Sequence, residues 1–167
     1  KIKTKKGFKK GARPEVAQQA IWYEKNKFFS QSKINPADKT LNVIMKSPEN
    51  KWNGEKSFSF PKGNVFCYFS QLPECVKLHG FLSMKEKKPY RLHVVWDSYP
   101  YHQEMYSNVS ETPFESATWA FDKKTNDGYR FGLLLNGQLV IYEFDADFEF
   151  KNMFWVVQGI SLSKQKD

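Results

Sequence analysis

At 167 residues, with 40% hydrophobic and 17% aromatic content, the chain is long enough for one domain with a substantial core. No apolar run reaches the ~20 residues that span a bilayer. The formal charge of +8 is concentrated at one end: residues 1–13 hold six lysines, Arg13 and no acid, which leaves about +1 for everything from Pro14 onward. Overall basicity therefore does not make the body a nucleic-acid-binding surface. The arm itself, with Lys3, Lys5, Lys6, Lys9 and Lys10, suits phosphate or an anionic lipid.

Taken in chain order, residues 1–13 read as a basic arm or linker, because they have neither apolar period nor turn chemistry. The sequence begins at Lys1, so a leader or anchor, where one exists, lies outside it. Residues 14–31 are expected to be a helix. Pro14 suits a first helical turn, Glu15 complements the helix dipole, and Val16-Ala17, Ala20-Ile21 and Phe28 recur at near-helical spacing, with Trp22 and Tyr23 at the edge of the apolar face. Asn35-Pro36 then ends it.

From Thr40 the period changes to two. Leu41, Val43 and Met45 alternate, Phe58 and Phe60 alternate, and Val65, Cys67 and Phe69 oppose Phe66 and Tyr68. Val76 to Met84 is read as a strand paired with Tyr90 to Trp96. The clearest hairpin runs from Tyr129 to Phe144 around Asn136-Gly137, a pair suited to two positive-φ positions. Fifteen Phe, eight Tyr and five Trp favour strands, where rings pack on a pleated surface. The expected fold is mainly β: an antiparallel, jelly-roll-like β-sandwich over 14–167 with one leading helix.

Cys67 and Cys75 lie eight apart across a turn-like stretch, which permits either a disulfide or two buried thiols. Ser98 to Ser116 lacks either period and carries Tyr99, Tyr101, His102, Tyr106 and Phe114, so it reads as a binding loop or as a satellite cluster under a sheet edge. Asn108-Val109-Ser110 is a formal glycosylation sequon. Trp52 and Trp119 sit beside turn signals and join Tyr99, Tyr101 and Tyr106 as candidate ligand contacts, whereas Trp96 and Trp155 read as core.

The acidic alternation Glu143-Phe-Asp145-Ala-Asp147-Phe-Glu149 puts four carboxylates on one face of a continuous strand, with Phe144, Ala146, Phe148 and Phe150 behind it. It resembles the Glu-x-Asp-x-Glu type of strand in jelly-roll glycoside hydrolases, which implies a carboxylate nucleophile and a carboxylic acid proton donor, although the pattern breaks at Asp147. Its plain reading is the solvated face of a half-buried strand. Pairing 76–84 with 90–96 places His79 opposite His93, two ligands toward a metal site without an evident third. No Gly-x-Ser-x-Gly elbow is present.

The stretch AQQAIWYEKNKFFSQS, residues 17–32, resembles the exposed half of the long helix of type IV pilins and implies a cell-surface or extracellular setting. A basic arm before a β-sandwich is also the layout of many small viral coat proteins. The leading functional expectation is a non-catalytic domain, without cofactor, that binds a glycan, another extended ligand or a protein partner through exposed aromatics. A polysaccharide-acting hydrolase and a coat-type protein whose arm contacts nucleic acid are the alternatives.

Overall fold

The computed structural model describes residues 2–4, 14–62, 66–101, 103 and 111–165. The chain is mainly β, with two sheets and little helix, and it divides into two compact units: Lys1–Gly63 with Val95–Phe114, and Asn64–Val94 with Glu115–Asp167. Spatial order follows chain order in both sheets, and the crossing connection of a jelly roll is not seen among the described strands. Among the described residues no helix is long and apolar enough to cross a membrane.

The first unit holds the five-stranded sheet of β1 (Ile2–Thr4), β2 (Pro14–Tyr23), β3 (Asn26–Asn35), β4 (Thr40–Lys46) and β5 (Gly54–Ser59), antiparallel throughout. The helix expected over 14–31 is not formed: β2 and β3 make a hairpin there. The chain reverses at Glu24-Lys25, with Glu24 in the left-handed region at φ 54° and Tyr23 paired to Asn26. Neither turn residue is the Gly or Asn that usually marks such a reversal, and this left the helical spacing of Val16, Ala17, Ala20 and Ile21 unopposed in the sequence. The resemblance to a pilin helix falls with it. The basic arm also enters the fold, since Ile2–Thr4 is the sheet's edge strand; Lys5, Lys6, Lys9 and Lys10 lie outside the described residues.

One face of this sheet is buried. Leu41, Val43 and Met45 of β4 are shielded as their alternation predicts, and beside them lie Ala17, Ser30 and Ser32. The small side chains leave room for the segment after Val95: Ser30 donates its hydroxyl to the carbonyl oxygen of Tyr99 at 2.7 Å, and the Tyr101 ring meets Phe28 edge-on at 5.3 Å. Trp96 is buried here as expected, and its N–H donates to Pro113 O.

The second unit carries β6 (Phe66–Tyr68), α1 (Leu72–Glu86), β7 (Tyr90–Val95), β8 (Phe114–Thr125), β9 (Gly128–Leu135), β10 (Gln138–Asp145), β11 (Phe150–Trp155) and β12 (Ile160–Ser163). Its sheet is curved into a half-barrel. The expected strand over 76–84 is a helix instead. Pro73 opens its first turn, Glu74 sits at the positive end of the helix dipole and Lys85 at the negative end, and Lys87 closes it in the left-handed region. Among its positions whose burial is described, Leu72, Gly80 and Ser83 are the buried ones. Cys67 and Cys75 form a disulfide that ties β6 to this helix.

Asn136 and Gly137, at φ 48° and 73°, make the two-residue hairpin tip between β9 and β10. Inside the half-barrel, Trp119 stacks on Phe131 at 5.3 Å and meets Tyr142 at 5.3 Å, while Trp155, Phe144, Leu133 and Val140 complete the core.

Candidate functional site

The residues proposed from the sequence as ligand contacts are mostly buried. Trp52, Tyr99 and Tyr101 lie in the core of the first unit and Trp119 in that of the second, none more than 7% exposed. Tyr99 meets the rings of Trp52 and Phe58, and the Tyr101 hydroxyl donates to the carbonyls of Lys46 and Phe29 at 3.3 and 3.4 Å. Burial pushes both phenols above their ordinary pKa. The segment from Val95 is thus a packed insert over its described part, the satellite-cluster reading and not an open loop. Tyr106 and the sequon at Asn108 lie outside the described residues.

The acidic run is not a continuous strand. β10 ends at Asp145, the chain turns, and Phe148 takes a left-handed φ of 61° before β11 begins. The Asp145 carboxylate accepts the backbone N–H groups of Asp147 and Glu149 at 2.9 and 2.8 Å, the local bonding that makes aspartate a turn former. Glu143 accepts from Asn152 at 3.0 Å. Glu149 pairs with Lys77 at 2.5 Å and Lys164 at 3.9 Å. Asp147 and Ala146 are exposed, so Ala146 is not part of an inner face. Three of these four carboxylates are engaged in holding the turn and its neighbours together.

His79 and His93 do not face each other across paired strands: His79 is in α1, and His93, in β7, stacks on Phe66 with ring centroids 5.6 Å apart. Among the described residues no three His, Cys, Asp or Glu side chains gather as a metal-binding set.

A different surface emerges from the register of the first unit. Opposite its buried face, the five-stranded sheet presents Val16, Gln18, Ala20 and Trp22 on β2, Lys27, Phe29, Gln31 and Lys33 on β3, Asn42, Ile44 and Lys46 on β4, and Glu55 and Ser57 on β5. Trp22 is 66% exposed, with the Lys27 ammonium 5.3 Å from its ring centroid. Gln18 and Gln31 are directly opposite and bonded amide to amide at 2.5 Å, and Ser57 donates to Asn42 at 2.8 Å. A depression of about 430 Å³ opens at one end, lined among the described residues by Lys27, Phe29, Lys46 and Ser47. Across the other end, the backbone register puts Lys3 of β1 in one row with Val16 and Lys33.

No family model, curated protein or solved structure matches this chain. The assignment of a site therefore rests on its chemistry.

The sequence did carry a signal for this face. From Asn26 to Asn35, Lys27, Phe29, Gln31 and Lys33 alternate with Phe28, Ser30, Ser32 and Ile34. Serines at two inward positions blunt the apolar contrast that marks an amphipathic strand, which left Lys27, Phe29 and Gln31 within an expected helix.

Proposed function

We propose that this chain is a non-catalytic binding protein that recognises an extended glycan along the outer face of its five-stranded sheet. The observation that carries this reading is the placement of an exposed indole, a row of amides and several lysines on one pleated surface. Each group matches a feature of a sugar chain. An indole offers a broad apolar plate for the C–H face of a pyranose ring, and amides both donate to and accept from hydroxyls. β2 and β3, at ten residues each, extend over roughly 30 Å, which suits a ligand of several units lying along the strands.

The binding reading is favoured over hydrolysis by the state of the carboxylates. Asp145 caps a turn and Glu149 is held by two lysines, so the pair of free carboxyl groups flanking a cleft that glycoside cleavage requires is not assembled from this run.

Retention on a panel of immobilised polysaccharides tests the proposal. Trp22→Ala is expected to weaken retention of at least one glycan with the melting temperature unchanged, because the indole is exposed, and Gln31→Ala to weaken it with a small loss of stability, because its half-buried amide bonds Gln18. Retention that ignores both substitutions removes this face from consideration.

A further inference from the structure

The charge on this face narrows the ligand further. Lys27, Lys33 and Lys46 all lie on it, and among the described residues none of them is ion-paired. In the second unit Lys77, Lys151, Lys164 and Arg130 each meet a carboxylate, of Glu149, Asp127, Glu149 and Asp122 respectively. Cations of the first unit are left open on the surface that also carries the indole and the amides.

Resting on the glycan reading above, we infer that the ligand is an acidic polysaccharide, a chain bearing carboxylate or sulfate groups at intervals. One acidic group is received in the depression that Lys27 and Lys46 line together with Phe29 and Ser47. Phe29 and Lys46 are cross-strand partners and Lys27 is two residues before Phe29, so the two lysines border one depression from neighbouring strands. The sugar that carries the acid lies next to Trp22, the cross-strand partner of Lys27. Lys33 is six residues further along β3, about 20 Å away, where it takes a second acidic group with Gln18 and Gln31 between.

This spacing separates an acidic glycan from a nucleic acid. Nucleic acid presents one phosphate per ~3.4 Å of strand along a duplex, and a surface that grips it carries closely set cations or a ladder of stacking rings. Here the lysines are sparse and a single Trp stands exposed on the face. Glu55, on the β5 side, adds a negative charge that a dense polyanion must avoid and that confines a sparsely charged chain to β2, β3 and β4.

The test uses the full chain and four probes: polygalacturonate, a sulfated glucan, an uncharged glucan and single-stranded oligothymidylate. Affinity is measured at low and high salt for the parent, for the double variant Lys27→Gln/Lys46→Gln and for Trp22→Ala. The inference expects one of the acidic glycans to bind best, its affinity to fall with salt, and the double variant to lose about tenfold while keeping its melting temperature. Charge reversal at Lys27→Glu serves as a second variant and is expected to lose more. Equal binding of the uncharged glucan, lost in Trp22→Ala but indifferent to salt and to the lysine substitutions, overturns the acidic-ligand inference and leaves the binding proposal standing. Preference for oligothymidylate overturns both, and so does the absence of binding to any of the glycans.

Discussion

The carbonyl oxygen of Phe144 stands 1.9 Å from the point where a β-carbon on Gly128 would lie. Gly128 begins β9 opposite Asp145, the last residue of β10, so a side chain there strikes the backbone of the partner strand and not a yielding side chain. At Gly137, by contrast, nothing lies within 4 Å of the position a methyl group would take, and only the left-handed φ of 73° resists substitution. Gly137→Ala is expected to cost about 1 kcal/mol, the usual penalty for a side chain in that region. Gly128→Ala is expected to cost more, in the range of about 2–3 kcal/mol, because one strand must shift. Urea denaturation of the two variants checks the order; equal midpoints would contradict the steric argument.

The Lys77 to Glu149 ion pair links α1 to the turn before β11. Its lysine is 27% exposed and its carboxylate 48%, so solvent screens the attraction, and Glu149→Gln is expected to lower stability by less than about 1 kcal/mol. The hydrogen bond to Glu149 raises the Lys77 pKa above its ordinary 10.5, with burial opposing. A lysine whose pKa is higher when folded stabilises the fold fully below 10.5 and loses that contribution as pH climbs through the folded value. The gap between parent and variant in thermal melts should therefore hold from neutral pH to about 10.5 and close above it. A gap of opposite sign, with the variant more stable, would restore the view of this run as a self-repelling acidic row.

The disulfide between Cys67 and Cys75 closes a short loop, with a sequence separation of 8. Loop-closure entropy for a ring of this size corresponds to about 2–3 kcal/mol of stabilisation. The paired Cys67→Ser/Cys75→Ser variant is expected to unfold at lower denaturant by that amount, and reductant should shift the parent to the same midpoint without affecting the variant. Helical circular dichroism reports on the element directly, since Cys75 lies in the first turns of α1. Identical unfolding with and without reductant would remove the disulfide from the account of stability.

The parts of the fold legible in the sequence are those where local chemistry and tertiary environment agree. Asn136-Gly137 demands a hairpin on backbone grounds alone, and Leu41, Val43 and Met45 alternate because one side of β4 is buried. Two elements were exchanged. The hairpin of β2 and β3 turns on Glu24-Lys25 without a customary turn residue and buries Ser30 and Ser32, so its period was masked. α1 carries Pro73 in its first turn, where it serves as a helix start but reads as a break between strands, and Val76, Leu78, Gly80 and Leu82 mimic alternation within a helix. The functional reading inherited these exchanges. Rings placed beside turn signals proved to be core, and Lys27 sat inside a supposed helix, so the face it shares with Lys33 and Lys46 was not visible.

The indoles of Trp22 and Trp119 allow the two roles of aromatic side chains to be separated by one pair of substitutions. Trp119 is 1% exposed and in contact with Phe131 and Tyr142, so Trp119→Ala removes transfer energy and leaves a cavity, at a cost of about 3–5 kcal/mol. Trp22 stands at the tip of the β2–β3 hairpin with Lys27 beside it and little else, so Trp22→Ala is expected to change stability by no more than about 0.5 kcal/mol. In binding the order inverts. Trp22→Ala should lose glycan affinity as a folded protein, whereas Trp119→Ala should lose affinity only in proportion to the fraction unfolded and recover it on cooling. Measuring melting temperature and glycan retention on the same preparations distinguishes the cases. A Trp119→Ala protein that melts like the parent yet no longer binds would return the site to the rings that the sequence first suggested.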